Sequence, residues 1–280
     1  MKVAAIQMLS TTQCEQNLAR AQQLMREAAQ QGARLLVLPE NFPQMGRHES
    51  DKLAIAEDPH QGPIQQMLSD FARTHQVWII AGTIPLKADA RHVYAHLPVY
   101  APSGDSVAAY NKLHLFDVAV PATGEQYFES RSIAPGAHLQ TVQIEQACVG
   151  LTVCYDVRFP ELYRKLAQQG ATVFVVPAAF TATTGQAHWL TLLRARAIEN
   201  QCFVIAPNQG GQHENGRATF GHSVIIDPWG EILAEAELGE QVLVAELDFG
   251  QQQQLRARFP VLQHARLSIA DELQAARTTT

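Results

Sequence analysis

Three residues of different chemical type stand at the ends of apolar runs: Glu40 after R-L-L-V-L-P, Lys112 after S-V-A-A-Y-N and Cys154 after G-L-T-V. Attack on an amide carbonyl uses these three functions together. A thiol becomes a nucleophile on losing its proton, a carboxylate can take that proton, and a fixed positive charge can face the developing oxyanion. Lysine relays protons poorly near neutrality unless its pKa is depressed, so the fixed-charge role suits it better. A neighbouring carboxylate base and a nearby ammonium are both expected to favour the thiolate. Taken singly, each residue has an ordinary explanation as well: a solvated turn for Glu40, an edge charge for Lys112, core packing for Cys154.

The elements that must position these residues can be read from periodicity. Residues 150–162, G-L-T-V-C-Y-D-V-R-F-P-E-L, run from a β-branched strand into a charged turn. Val149, Leu151 and Val153 share one strand face, and Pro160 with Glu161 suits the first turn of a helix. Cys154 thus falls at a strand-to-helix corner that opens on the crevice at the strand's carboxyl end.

Upstream, residues 2–8 read as a buried strand, 14–31 as a helix with Leu18, Ala21, Met25 and Ala28 inward, and 34–38 as a strand ending at Glu40. Residues 51–63 read as loop with a weak helical patch, 64–74 as a helix and 77–82 as a strand. The turns A-P-S-G-D and D-P-W-G join strands 94–100 to 106–112 and 223–226 to 231–234 as hairpins, which makes the sheet mixed. Residues 120–137 read as a long irregular segment carrying F-E-S-R, a length that is usually functional. Strands are predicted at 139–144, 171–176 and 202–206, and a helix at 185–200 with Leu190, Leu193, Ala197 and Ile198 inward and Arg194 and Arg196 available for other work. Residues 207–219 have the composition of a polar loop. The sheet closes with 241–248, and no strong internal repeat is evident. The fold class is α/β: residues 1–250 form one domain, and 251–280 a mostly polar C-terminal arm that reaches toward a partner subunit.

Composition supports this and excludes several classes. The 280 residues, 46% hydrophobic and 17% charged, can bury a large core as one domain. No stretch approaches the roughly 18 consecutive apolar residues of a membrane span, and residues 1–7 lack a signal-peptide layout, so a cytoplasmic protein is expected. Four cysteines without C-x-x-C or metal-ligand spacing imply reduced thiols and no zinc site. A net charge of -6 with no Lys/Arg run argues against nucleic acid or an anionic membrane as partner. With neither G-x-G-x-x-G nor G-x-x-x-x-G-K-[ST], a nucleotide cofactor has no support, and no cofactor is expected.

Five ordered blocks carry a resemblance: L-P-E (38–40), Y-N-K-L-H-L-F-D (110–117), F-E-S (128–130) with a following P-G, C-Y-D-V-R-F-P-E-L (154–162) and G-H-S-V-I-I-D-P-W-G (221–230). In order and over nearly the whole chain, they resemble the motifs of the nitrilase superfamily of carbon-nitrogen hydrolases. The resemblance implies an αββα sandwich of two mixed sheets between helices, working as a homodimer or higher homo-oligomer joined through helices near the nucleophile. It also implies Cys154 as nucleophile, Glu40 as general base, Lys112 as the oxyanion-stabilising lysine and Glu129 as a second glutamate that orients substrate and lysine. The backbone N-H of Tyr155 would complete the oxyanion site.

Residues 180–189 and 192–202 look most like the branch containing deaminated-glutathione amidase and ω-amidase. That likeness implies a short amide substrate bearing a 2-oxo acid carboxylate, deaminated glutathione ahead of 2-oxoglutaramate. Arg158 would grip the carboxylate, Phe180 would form an apolar wall and Thr184 would donate a hydroxyl. Position on its own also suits Arg158 to a structural pairing with Asp156 or Glu161. Residues 123–127, T-G-E-Q-Y, depart from the P-G-containing form of this loop. An N-carbamoyl amidohydrolase and a nitrilase remain alternatives, as do a Cys-His protease using His114, His188 or His222, and a binding protein with a dead site.

Overall fold

Along the strand Lys2–Gln7, alternate side chains enter two different cores, as the two-residue period of a strand requires. Val3 and Ala5 pack with Val149, Leu151 and Val173, whereas Ala4 and Ile6 pack with Leu24 and Met25 of helix α1 (Cys14–Gln30). Strand Leu35–Val37 repeats the division, with Leu35 and Val37 inside and Leu36 toward the helices. Apolar residues on both faces therefore specify a sheet sandwiched between a helical layer and a second sheet.

The computed structural model describes residues 1–120 and 124–267. In the first sheet, strands Lys2–Gln7, Leu35–Val37 and Trp78–Ile80 are parallel, flanked by antiparallel Gln241–Glu246 on one side and Val93–Tyr100 on the other. The second sheet is built on the same plan. Its parallel centre is Ala147–Leu151, Val173–Val175 and Phe203–Ala206, flanked by Thr141–Ile144 and Val224–Ile226. Helices α1 and α2 (Pro63–His75) cover the first sheet. Helices α3 (Pro160–Gln168) and α4 (Ala182–Asn200) cover the second, where Leu166 meets Phe174 across the space left by Gly150. This is the expected αββα sandwich. Among the described residues, no helix is long and apolar enough to cross a membrane.

Four local expectations change. Within the segment expected to be irregular, Gln126–Phe128 pairs with Asp117–Ala119 and Glu129–Arg131 forms a 3-10 turn. The predicted polar loop contains a hairpin, Gly210–Gln212 against Ala218–Phe220, turning through Asn215 and Gly216 (φ 87°). Its Asn208 and Gln209 are fully buried, because they bond to other elements rather than to water. On α4, Ile198 is 46% exposed, and Arg196 is instead buried, its Nε donating to the Val157 carbonyl at 2.9 Å. The register of a helix face is set by its neighbours, here the turn Cys154–Arg158.

After the last strand, helix α5 (Phe249–Arg258) lies on the second sheet, with Phe249 5.5 Å from Phe203 and Gln252 donating to the carbonyls of Thr172 and Gln201 at 2.8 Å. The end of the predicted arm, residues 268–280, lies outside the described residues.

Gly82 makes the turn holding Glu40 possible. Its φ is +58°, and a Cβ there would sit 2.0 Å from the Pro39 carbonyl oxygen, while Thr83 Oγ1 accepts the Asn41 N-H at 2.9 Å. Backbone cannot yield as a flexible side chain can, so Gly82→Ala is expected to cost well over 1 kcal/mol, or about 2 kcal/mol and more. Urea unfolding measures this; a variant as stable as the parent would show that the approach is not tight.

Candidate active site

Both parallel strand sets point their carboxyl ends at the same place. Glu40 follows Leu35–Val37, Lys112 follows Ser106–Asn111, and Cys154 opens a 3-10 turn (Cys154–Arg158) after Ala147–Leu151. Ala179, Phe180 and Thr181, after Val173–Val175, border the same space. Glu40, Glu129 and Cys154 line one cavity, with Phe116, Tyr155, Ala179, Phe180, Thr181, Thr184 and Arg217.

Lys112 is 1% exposed and joins the set. Its Nζ donates to Glu40 Oε1 at 2.8 Å and to both oxygens of Glu129 at 3.0 and 2.9 Å. Two backbone amides fix the carboxylates: Ala179 N-H donates to Glu40 Oε2 at 2.9 Å, and Phe116 N-H to Glu129 Oε2 at 2.8 Å. Burial works against the ammonium, but the charges of Glu129 and Glu40 outweigh it and hold the Lys112 pKa well above its ordinary value. For Glu129 burial raises the pKa, and the Lys112 charge overcomes it, so the net shift is downward.

The thiol responds in the opposite sense to the sequence expectation. Burial pushes the Cys154 pKa well up, and Glu40 and Glu129 add to the rise while Lys112 only partly offsets it. A carboxylate close to sulfur disfavours the thiolate, and the set already holds two of them against one ammonium. The raised pKa favours the protonated thiol at Cys154. Its backbone is in the left-handed region, φ 46°, held by the bond from Cys154 N-H to the Pro177 carbonyl at 2.9 Å. Tyr155 follows in the turn, whose leading N-H groups have no acceptor within it.

The other predicted residues divide. Phe180 and Thr184 line the cavity, with Thr184 Oγ1 2.7 Å from Thr181 Oγ1. Arg158 is not among the lining residues. Its guanidinium lies over two aromatic rings, 5.1 Å from the Phe180 ring centre and 5.7 Å from that of Tyr155, and donates to His188 Nδ1 at 3.2 Å. None of His114, His188 and His222 lines the cavity.

Sequence reasoning missed Phe116, Asp156 and Arg217. Asp156 is fully buried and accepts from Tyr110 Oη at 2.7 Å, Val153 N-H at 2.8 Å and His114 Nδ1 at 2.7 Å. It ties the corner at Cys154 to the strand Ser106–Asn111 that leads into Lys112. Phe116 and Asp156 stand inside the quoted motifs, but nothing in their spacing distinguished them; Arg217 stood in the segment read as a polar loop.

Removing the Asp156 carboxylate would strand buried donors. Asp156→Ala is expected to lose about 3 kcal/mol in urea unfolding and to lower turnover with it. A change under about 0.5 kcal/mol would sink that account. The buried pair also predicts acid sensitivity. Because the folded-state pKa of Glu129 lies below its ordinary 4.5, its contribution is whole above pH 4.5 and is lost as pH falls through the folded value. Glu129→Gln should therefore lower stability at pH 7 by about 2 kcal/mol and flatten the fall in Tm below pH 4.5. An unchanged acid limb would place the sensitivity elsewhere.

Residues 2–257 match the family model for carbon-nitrogen hydrolases. A relative from Synechocystis sp. (strain PCC 6803 / GT-S), named deaminated glutathione amidase, is 45% identical over 265 residues, covering 93% of this chain and 96% of its own. Omega-amidase NIT2 of Mus musculus is 36% identical over 269 residues, covering 96% of each. Among solved structures, Saccharomyces cerevisiae Nit3, a member of branch 10 of the nitrilase superfamily, superimposes with a TM-score of 0.83 at 30% identity, over 93% of this chain and 94% of that one. With sequence and fold agreeing over almost its whole length, the chain belongs to the carbon-nitrogen hydrolase family of the nitrilase superfamily, hydrolases of carbon-nitrogen bonds other than peptide bonds.

Proposed function

We propose that the chain is a thiol-dependent amidase whose substrate is a short amide bearing a 2-oxo acid carboxylate, with deaminated glutathione the preferred one. The observation that carries the mechanism is the buried Lys112 ammonium, clamped by Glu40 and Glu129 beside the cavity that Cys154 lines. The names of the relatives at 45% and 36% identity support the substrate class.

In this reading Glu40 takes the thiol proton as Sγ bonds to the amide carbon. The carbonyl electrons move to oxygen, where Lys112 Nζ and the Tyr155 N-H stabilise them. The C-N bond then breaks and Glu40 returns the proton to the departing amine. Water enters, Glu40 takes one of its protons, and the hydroxide attacks the thioester; the C-S bond breaks, releasing the acid and regenerating the thiol. Lys112 acts throughout as fixed charge, since its raised pKa makes it a poor donor. Glu129 orients Lys112, and Phe180 and Thr184 contact the acyl half; Arg158, expected to grip its carboxylate, would have to leave His188 to reach it.

An omega-amidase acting on 2-oxoglutaramate is the second reading, supported by the 36% relative. We assign no cofactor. The enzyme acts in the cytoplasm as a homo-oligomer, and the exposed Ile198 (46%), Trp229 (59%) and Phe259 (54%) are apolar surface suited to a subunit contact.

Cys154→Ala is expected to abolish hydrolysis with the fold intact, whereas substitutions at Cys14, Cys148 and Cys202 leave it active. Lys112→Arg should lose at least about 100-fold in kcat, because a planar fork cannot replace a compact ammonium at a buried oxyanion. Glu40→Gln should lower kcat by orders of magnitude, and where its acylation survives better than its hydrolysis, mass spectrometry should find the acyl group on Cys154; an acyl group on another residue would overturn the assignment.

A further inference from the structure

The cavity at Cys154 has a free volume of about 10 Å³, close to the room one water needs. It can receive a scissile carbonyl but not the two flanks of a substrate. Tyr155, Phe180 and Thr184 line it, and so does Arg217. Arg217 also lines a separate open groove of about 540 Å³, formed by residues 46–50, 126–128, 131–132 and 215 with Arg217 itself.

That groove is basic in a chain whose net charge is -6. Arg47, Arg131 and Arg217 border it, together with the carboxylate Glu49, which already pairs with Lys52 at 2.8 Å. Among the described residues, neither Arg47 nor Arg131 forms a salt bridge; Arg131 lies over the Phe128 ring at 4.2 Å. Arg217 bridges the two spaces. Its Nη2 donates to the Ala179 carbonyl at 2.9 Å, opposite the Ala179 N-H that serves Glu40, and its guanidinium sits 5.1 Å from the Tyr127 ring centre. Its Nε is buried without an acceptor. A guanidinium N-H left so is costly, and an oxygen of a bound molecule would satisfy it. Asn215 braces the rim by donating to the Gly46 carbonyl at 2.6 Å.

We propose that this groove binds the amine half of the substrate and selects amines that carry a carboxylate, with Arg217 at the threshold and Arg47 and Arg131 holding the anionic end. The proposal rests on the amidase reading above and deepens it. The leaving group is then an extended, peptide-like amine rather than ammonia. Arginine suits the task because its fork binds a carboxylate through two parallel N-H bonds.

The test uses the full chain and three amides with the same 2-oxo acyl half. They are deaminated glutathione, whose amine ends in a carboxylate; its C-terminal carboxamide; and 2-oxoglutaramate, which releases ammonia. The parent enzyme should show kcat/KM about tenfold or more higher for the carboxylate than for the carboxamide. Arg47→Ala and Arg131→Ala, both at exposed positions, should each shrink that ratio, and the double variant should bring it close to one. Arg217→Leu should lower kcat/KM for both N-substituted amides more than for 2-oxoglutaramate. A parent enzyme with no carboxylate preference, or a ratio unmoved in the double variant, would overturn the groove assignment alone. A parent enzyme that hydrolyses none of the three amides would overturn the amidase reading itself, and the groove assignment with it.

Discussion

A lysine ammonium taken out of water dictates much of this structure. Lys112 is almost wholly buried, and a buried cation persists only if opposite charges meet it at hydrogen-bond distance. Glu40 and Glu129 do so from different parts of the chain, 72 residues before and 17 after the lysine. Each carboxylate must itself be held, and each spends its second contact on a backbone amide, Ala179 or Phe116. The chain is thus committed to bringing four segments together at one point. The shape of the sandwich, with the carboxyl ends of both parallel strand sets converging, is the arrangement that allows it.

Burial comes first in setting the state of the Cys154 thiol: it pushes the pKa well up, and the charges of Glu40 and Glu129 add to the rise, which Lys112 only partly offsets. The backbone at Cys154 is left-handed, and the Asp156 network holds the corner on which that strained residue sits.

Polar side chains join the two sheets beneath the site. Gln7 Oε1 accepts from both the N-H and the hydroxyl of Ser223 at 2.9 and 2.8 Å, and Ser223 Oγ accepts the Asn208 N-H at 2.8 Å. Gln209 bonds to Ser10 and, at 3.1 Å, to the Glu40 carbonyl. All are buried, so an unmade bond would carry its full desolvation cost. Such a network resists sliding of one sheet past the other better than apolar contact does, because hydrogen bonds are directional.

Much of this was legible in the amino-acid sequence, for local reasons. Apolar runs with a two-residue or helical period announce their elements, and the turns A-P-S-G-D and D-P-W-G announce their hairpins. Short motifs sufficed to mark Glu40, Lys112, Glu129 and Cys154 as a set to be brought together. What the tertiary structure alone decided depends on distance through space. Asn208 and Gln209 have the composition of a solvated loop and are buried because their partners, Gly221 and Ser10, arrive from elsewhere in the chain. Ile198 follows helical spacing yet faces outward, since the neighbouring turn claims Arg196 instead. Arg217 and Arg158 are equally charged in sequence, and only folding puts one on the cavity wall and the other over the rings of Phe180 and Tyr155. The protonation of the thiol is of the same kind: its pKa depends on how close two distant carboxylates come to sulfur and on how little water remains, and neither is a property of any local stretch.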